Sequence, residues 1–343
     1  MKLNFCTLFN SSYLSRGVAM YESLQRYCSD FHLYVFAFDE VSCNYLRSKR
    51  FPNMTVVSLK EFEDAELLKV KPTRSAGEYC WTCTSSTILY SIKAFKLSNC
   101  TYLDADMQFF ADPAVLINEM GNASVLITEH RYTKAYDQSA ESGKYCVQFV
   151  TFKNDERGMK VLEWWRDRCI EWCYSYAEEG KFGDQKYLDD WTRRFEGVHE
   201  LQHLGGGIAP WNVQQYDFEK EGQKIFGIEK SSGKKFQVIF FHFHGVKFFE
   251  EGIVSYSHAL YDLDKKVQEL FYRPYVKELV RISKPIGSFN ANGSAGKAPL
   301  KPLSALLLLK FYVGGLRKSW KNLPGQNVKK HVDHHYYYYV NKL

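Results

Sequence analysis

The chain has 343 residues, 45% of them hydrophobic and 24% charged, with a formal net charge of +6. That is enough apolar material for one large core with a small appended unit, and it excludes an intrinsically disordered protein. No apolar run reaches the roughly 20 residues of a membrane span.

In chain order, residues 3–9 read as a strand, and residues 16–27 place Met20, Leu24 and Tyr27 at helical spacing. Residues 31–38 form an aromatic-rich second strand. A helix over 42–50, a strand over 54–59 and a long helix from about 80 to 96 follow, before a strand that ends at Asp104. This alternation predicts an α/β fold: a mainly parallel central sheet with helices on both faces. Ligands of such sheets bind at the carboxyl ends of the strands, where Thr7-Leu8-Phe9-Asn10 falls. A plain strand-to-helix turn capped by Asn10 or Ser12 accounts for the same residues. Neither Gly-X-Gly-X-X-Gly nor a Walker-type loop follows the first strand, which argues against a dehydrogenase or a P-loop NTPase.

The strand over 100–103 leads into Asp104-Ala105-Asp106. On extended backbone, side chains two apart share a face, so the two carboxylates can converge on one divalent cation. Hard oxygen donors suit manganese or magnesium, which commonly carry a diphosphate as well. Alone, Asp-X-Asp is a frequent coincidence, and two solvated acids at a strand end explain it equally.

Residues 146–152 read as a further strand. A helix over 154–176 follows, with Trp164, Trp165 and Trp172 as core residues. Asp184 and Gln185 then open a short helix running to Phe195, in which Asp184 serves as N-cap on the simplest reading. Gly205-Gly206-Gly207 breaks regular structure, either to let backbone approach a ligand or as a surface loop. The apolar run 237–245 reads as a strand ending in His242-Phe243-His244-Gly245. His242 and His244 share a face, imidazole is a good manganese ligand, and Gly245 lets backbone approach an anion beside Lys247. This second cluster turns the acidic pair into a metal and diphosphate site.

The two motifs together resemble those of the GT-A nucleotide-sugar glycosyltransferases. The similarity is to the glycogenin and bacterial lipopolysaccharide galactosyltransferase group (glycosyltransferase family 8) and covers roughly the first three quarters of the chain. The resemblance implies a catalytic domain over 1–260, and composition adds a helical extension over 261–286 and a basic linker with an amphipathic tail over 287–343. It implies that Asp104, Asp106 and His242 bind manganese, with magnesium as the alternative. Thr7, Phe9, Asn10, Asp104 and Ala105 then contact the nucleotide, and Gly245 and Lys247 the diphosphate. Asp184 and Gln185 take catalytic positions beside the transferred sugar and the acceptor. Gln148, Arg74, Lys93, Gly206 and His244 are further candidates for the donor sugar or acceptor.

Three features depart from the family. The lysine expected six residues after the histidine is Phe248, with Lys247 one earlier. Cys146-Val147-Gln148 stands where Asn-Ala-Gly is usual, and only Arg74 and Lys93 offer themselves as the basic residue that normally precedes the acidic motif. The implied reaction is transfer of a hexose from a UDP-sugar to a hydroxyl of a glycan or glycolipid, with retention. A sugar nucleotidyltransferase on a related fold and a non-catalytic nucleotide-sugar-binding protein are the alternatives. The first normally carries a Gly-rich basic signature after the first strand, which Asn10-Ser11-Ser12-Tyr13 does not supply.

The nine cysteines are scattered, with Cys80/Cys83 and Cys169/Cys173 the only close pairs, a pattern that does not fit a zinc ribbon. The opening Met1-Lys2-Leu3-Asn4-Phe5 has no basic and apolar signal segment. A cytoplasmic chain with reduced thiols is expected, in which Asn122-Ala123-Ser124 is no glycosylation acceptor.

Residues 284–343 hold ten Lys or Arg against Asp333 alone, a net of +9 that leaves −3 for the preceding residues of a chain totalling +6. The composition of 287–302 is that of a linker. The apolar run 303–309 and the basic stretch 310–321, with Phe311, Leu316 and Trp320, fit an anchor on the inner face of a membrane. A terminal helix packed on the domain with solvated charges fits as well. Nucleic acid is not expected, since the remainder is mildly acidic and carries no recognition signature.

Overall fold

The computed structural model describes residues 2–249, 253–258, 261–289 and 336–338. Strand β1 (Leu3–Phe9) is buried along its whole length, and period-two alternation divides it between two cores. Leu3, Phe5 and Phe9 enter one, Cys6 and Leu8 the other. Helix α1 (Leu14–Tyr27) covers the first face through Leu14, Val18, Tyr21 and Leu24. Strand β2 (Phe31–Ala37) and helix α2 (Glu40–Lys49) follow, the latter capped by Asp39, which accepts from Ser42 N at 2.8 Å.

Strand β3 (Met54–Ser58) leads into two short helices, α3 (Leu59–Phe62) and α4 (Ala65–Val70), too brief to show a readable apolar period. Helix α5 (Ala76–Ala94) begins ahead of the expected Cys80 because Ser75 and Glu78 form a capping box. Next come β4 (Asn99–Leu103), β5 (Met107–Phe109), α6 (Ala114–Glu119), β6 (Val125–Glu129), α7 (Ser139–Ser142) and β7 (Tyr145–Lys153). Helix α8 (Glu156–Glu171) ends short of the expected 176. Its next residue, Trp172, is extended and donates its indole N–H to Glu178 at 2.7 Å, which turns the chain away from the helix axis. The expected Asp184 helix is a 3-10 turn over Lys186–Asp190 followed by α9 (Trp191–Arg194), and β8 (Val198–Glu200) closes the first half.

These strands form a seven-stranded sheet in the order β3-β2-β1-β4-β7-β6-β8. Strand β7 alone runs against the others, pairing antiparallel with both β4 and β6. Helices α5 and α8 cover the second face, with Ile88, Ile92, Leu162 and the fully buried Trp165 in that core. The fold is therefore α/β with a mainly parallel sheet between helical layers, as the alternation of elements predicts.

An antiparallel meander follows, of β9 (Tyr216–Glu221), β10 (Lys224–Glu229) and β11 (Lys235–Gln237). The apolar run 237–245 is not one strand. It changes partners at Ile239, which donates to Gly205 O and accepts from Phe110 N, so β12 (Phe240–His242) pairs with β5 instead of β10. Strands β13 (Lys247–Phe248) and β14 (Ile253–Ser255) make a hairpin.

Helix α10 (Lys265–Val267), a π-helical turn over Gln268–Tyr272 and helix α11 (Arg273–Phe289) come next. Tyr275, Val276, Leu279, Ile282 and Ile286 recur at helical spacing and join the same core as α1. Helix α11 runs three residues past the expected linker start at Gly287. The backbone of β15 (Tyr336–Tyr338) pairs with β14. The expected apolar and basic segments of the tail lie outside the described residues, and among those described no helix is long and apolar enough to cross a membrane.

Candidate active site

Two ladders bring the motifs together. At the end of β4, Asp104 N donates to Gln148 O at 3.1 Å, extending the pairing with β7. Residues 104–106 then form a tight turn, closed by Met107 N donating to Asp104 O, before β5 begins. This turn, not the strand alternation expected from their spacing, brings each carboxylate toward His242. Opposite them, His242 pairs with Met107 in the β5–β12 ladder and Phe243 N donates to Asp106 O at 2.9 Å. His242 Nε2 thereby lies 3.1 Å from Asp106 Oδ1 and 3.7 Å from Asp104 Oδ2.

The other ring nitrogen, Nδ1, is 2.7 Å from Gln148 Oε1. An amide oxygen only accepts, so Nδ1 carries the proton and Nε2 is the atom turned toward the carboxylates. Gln148 is fully buried, and its Nε2 has no partner among the described residues. Metal-ligating histidines are held in this way, with the remote nitrogen fixed by a hydrogen bond. Among the described residues, the donor atoms of Asp104, Cys146 and His242 all lie within 4.8 Å of one another, and Asp106 adds a carboxylate 3.1 Å from His242 Nε2, oxygen and imidazole donors of the kind a divalent cation takes.

The charges are strongly linked. Desolvation pushes Asp104 up to about 6 despite the pull of His242. It opposes ionisation of Asp106 too, but His242 outweighs it and holds that carboxyl down at about 2. Burial disfavours a charged His242 ring, yet Asp106 and Asp104 overcome it and raise its pKa well above the ordinary range. Without a cation, the cluster is a protonated imidazole between acids.

This cluster floors a cleft of about 640 Å³ at the carboxyl edge of the sheet, lined by Phe9, Asn10, Ala105, Asp184, Gln185 and His244 among others. Asp184 is buried, and desolvation raises its carboxyl to about 7 against a hydrogen bond from Thr84. It caps no helix: the 3-10 turn that follows has Gln185 at its N-cap position and no side-chain cap. The chain is held there by Trp165, whose indole N–H donates to Asp184 O at 2.9 Å. Gln185 lines the cleft, and its Nε2 donates to Ser142 O at 2.7 Å.

Other expected residues lie elsewhere. Thr7 is fully buried in β1 and does not reach the cleft. Asn10 does line it, though its Oδ1 accepts from Ser12 N at 3.1 Å, the capping role that its position allowed. Arg74 lies 3.9 Å over the Tyr174 ring and donates to Ile170 O. Lys93 pairs with Glu163 at 2.9 Å on the exposed side of α5. Neither lines the cleft. Lys247 is exposed on β13, also off the cleft wall.

The three glycines make close approaches to protein, not to a ligand. A Cβ on Gly205 would sit 1.9 Å from Gln237 O, on Gly206 2.6 Å from Leu201, and on Gly207 3.0 Å from Thr128. Gly245, at φ +82°, turns the chain beneath the ring of His258 instead of facing the cleft.

Several cleft residues carry no sequence signal. Trp211 packs edge-on against both His242 and His244, at 5.4 and 5.7 Å between ring centroids. His130, held near 3 by burial and therefore neutral, stacks on Tyr132 at 4.5 Å. Tyr261 completes this wall beside Cys146, which the sequence marks only as a departure from the family pattern. They come from separate loops and strands, so only the folded chain assembles them.

The molecule is an α/β protein with a mainly parallel sheet that carries two acids and an oriented imidazole at the floor of a cleft. No protein-family model matches the chain. It is 30% identical over 285 residues to the uncharacterized protein YfnD of Bacillus subtilis (strain 168), covering 81% of this chain and 89% of that protein. To YfnF of the same strain it is 30% identical over 290 residues, covering 82% and 91%. The chain belongs to the family of these two proteins.

Similar solved structures include the galactosyltransferase LgtC in complex with donor and acceptor sugar analogues, at a TM-score of 0.48 and 10% identity, covering 81% of this chain and 96% of that one. Mouse xyloside xylosyltransferase 1 in its apo form is similar at a TM-score of 0.41 and 13% identity, covering 71% and 97%.

Proposed function

We propose that the chain is a metal-dependent GT-A glycosyltransferase that moves a hexose from a UDP-sugar to a hydroxyl of a glycan or glycolipid, with retention. The observation that carries this reading is the convergence of Asp104, Asp106 and His242, from segments more than 130 residues apart, at the carboxyl edge of the sheet. These three residues would hold a manganese ion, which when bound would supply charge neutralisation to a departing diphosphate. Asp104 and Asp106 hold the donor's phosphate end at the cleft floor, and Phe9, Asn10 and Ala105 form the wall for the base.

Arg16, beside the cleft residues Ser12 and Tyr13, adds positive field at Asp106. Its guanidinium stacks on Tyr13 at 4.6 Å and donates to Val246 O at 2.7 Å. Asp184, with a pKa near 7, accepts a hydrogen bond from the acceptor hydroxyl and faces positive charge developing on the sugar. Gln185 grips a sugar hydroxyl, and Trp211 and Tyr132 offer apolar faces to the sugar rings.

Turnover of a panel of UDP- and GDP-sugars with manganese, read as hydrolysis and as transfer, tests the reading. Asp104→Asn and Asp106→Asn each lower turnover by roughly 100-fold or more while the circular dichroism spectrum is unchanged. Intact turnover in either folded variant would refute it. A preference for nucleoside triphosphate plus sugar phosphate favours a nucleotidyltransferase.

A further inference from the structure

The donor atoms of Asp104, Cys146 and His242 lie within 4.8 Å of one another. Cys146 stands on β7 two residues before Gln148, the residue that orients His242, and its thiol is within hydrogen-bonding reach of that ring. It is buried yet lines the cleft, so an ion at the cleft floor reaches it. A tetrahedral ion with bonds of roughly 2.0–2.3 Å spaces its donors about 3.3–3.8 Å apart, so the set closes on one with adjustments of about 1 Å. Thiolate is a soft ligand that favours zinc, cobalt or cadmium and adds little for manganese or magnesium.

We propose that the cleft floor contains two overlapping donor sets: Asp104, Asp106 and His242 for a hard ion, and Asp104, Cys146 and His242 for a thiophilic one. Because the sets share Asp104 and His242, the two ions exclude each other, and zinc displaces manganese. On capture of the soft ion a sulfur–metal bond forms and the thiol proton passes to solvent. The proposal rests on the metal-centre part of the proposed function and is indifferent to the donor sugar.

The test is titration of the full chain, without nucleotide, with cobalt(II) as optical probe. Wild type is expected to develop visible ligand-field bands together with near-ultraviolet thiolate-to-cobalt charge transfer, both lost on adding zinc. Cys146→Ser keeps the ligand-field bands, loses the charge transfer and binds zinc at least roughly tenfold more weakly, with manganese affinity changed less than about twofold. Cys43→Ser, at a buried cysteine in α2 away from the cleft, behaves as wild type. Ligand-field bands without charge transfer in wild type would overturn the Cys146 proposal and leave the hard-ion centre standing. Charge transfer that survives Cys146→Ser would overturn it too. Absence of any cobalt-dependent absorption would overturn the metal centre as well.

Discussion

His242 is useful as a ligand only because Gln148 dictates which nitrogen faces the acids. Gln148→Ala removes that restraint while Asp104, Asp106 and His242 all remain. Manganese affinity measured by calorimetry is expected to fall about 10–100-fold with secondary structure preserved. An unchanged affinity would deny Gln148 this role. Since the acids raise the His242 pKa, an incoming ion must displace a proton from Nε2. Manganese affinity is therefore expected to weaken as pH falls, with proton release from the centre visible in buffers of different ionisation enthalpy.

Asp184 carries a linkage of its own. Its folded pKa is near 7, against the ordinary carboxylate value of 3.8 in the unfolded chain. Between those values the folded state binds more protons, so this contribution is fully present at low pH and is lost as pH rises through 7. The loss is on the order of 4 kcal/mol at most. Asp184→Asn keeps a neutral group at this position. The variant should show a flatter fall in melting temperature between pH 4 and 7 than wild type, and parallel melting curves would contradict the assignment. At this scale the acids and His242 are readable from their spacing. Trp211 and His130 are not, and Gln148 and Cys146 stand out in sequence only as a donor-sugar candidate and a family departure, because their place beside His242 comes from what a third segment sets there.

At the scale of elements, the Gly205 to Gly207 stretch shows where spacing misleads. Consecutive glycines signal a close approach, but only the fold reveals that the approaching group is the Gln237 carbonyl. Gly205→Ala is expected to destabilise the protein by about 2–4 kcal/mol in thermal or urea unfolding, because backbone must move to accept the methyl. At Gly77, in the first turn of α5, an added methyl would meet no described atom within 4 Å. Gly77→Ala should be neutral or stabilising by about 0.5–1 kcal/mol. Equal effects of the two substitutions would show that the loop yields where the structure has it packed.

The longer strands and helices of the first half, β1, α1, β2, α2, β3, α5, β4, β7 and α8, are legible because their apolar periods are long, while the short α3, α4, β5, α6, β6, α7 and β8 are not. The run at 237–245 reads as one strand and is two, since its break depends on partners, Gly205 and Phe110, distant in sequence. The turn at 104–106 escapes notice for the same reason.

Across the whole molecule, the two cores on either face of β1 fix the sheet, and α11 extends the first core alongside α1. Arg281 of α11 pairs with Glu22 of α1 and with Glu278 on its own helix. The basic character of the chain resides almost wholly in residues 284–343. The expectation from sequence for that segment is contact with an anionic membrane face, which vesicle flotation tests. The full chain is expected to float with anionic vesicles and a chain ending at Phe289 to stay behind, with the difference shrinking as salt is raised. Equal flotation would remove the membrane role and leave the cleft chemistry untouched.

Thermal unfolding with UDP, with manganese and with both tests most directly whether the two motifs form one working centre. Manganese and UDP together are expected to stabilise the chain by about 2.7 kcal/mol once UDP is roughly 100 times its Kd. UDP with a chelator should give little, and Asp106→Asn should lose the joint effect. Stabilisation by UDP that is indifferent to the chelator and survives Asp106→Asn would contradict the account.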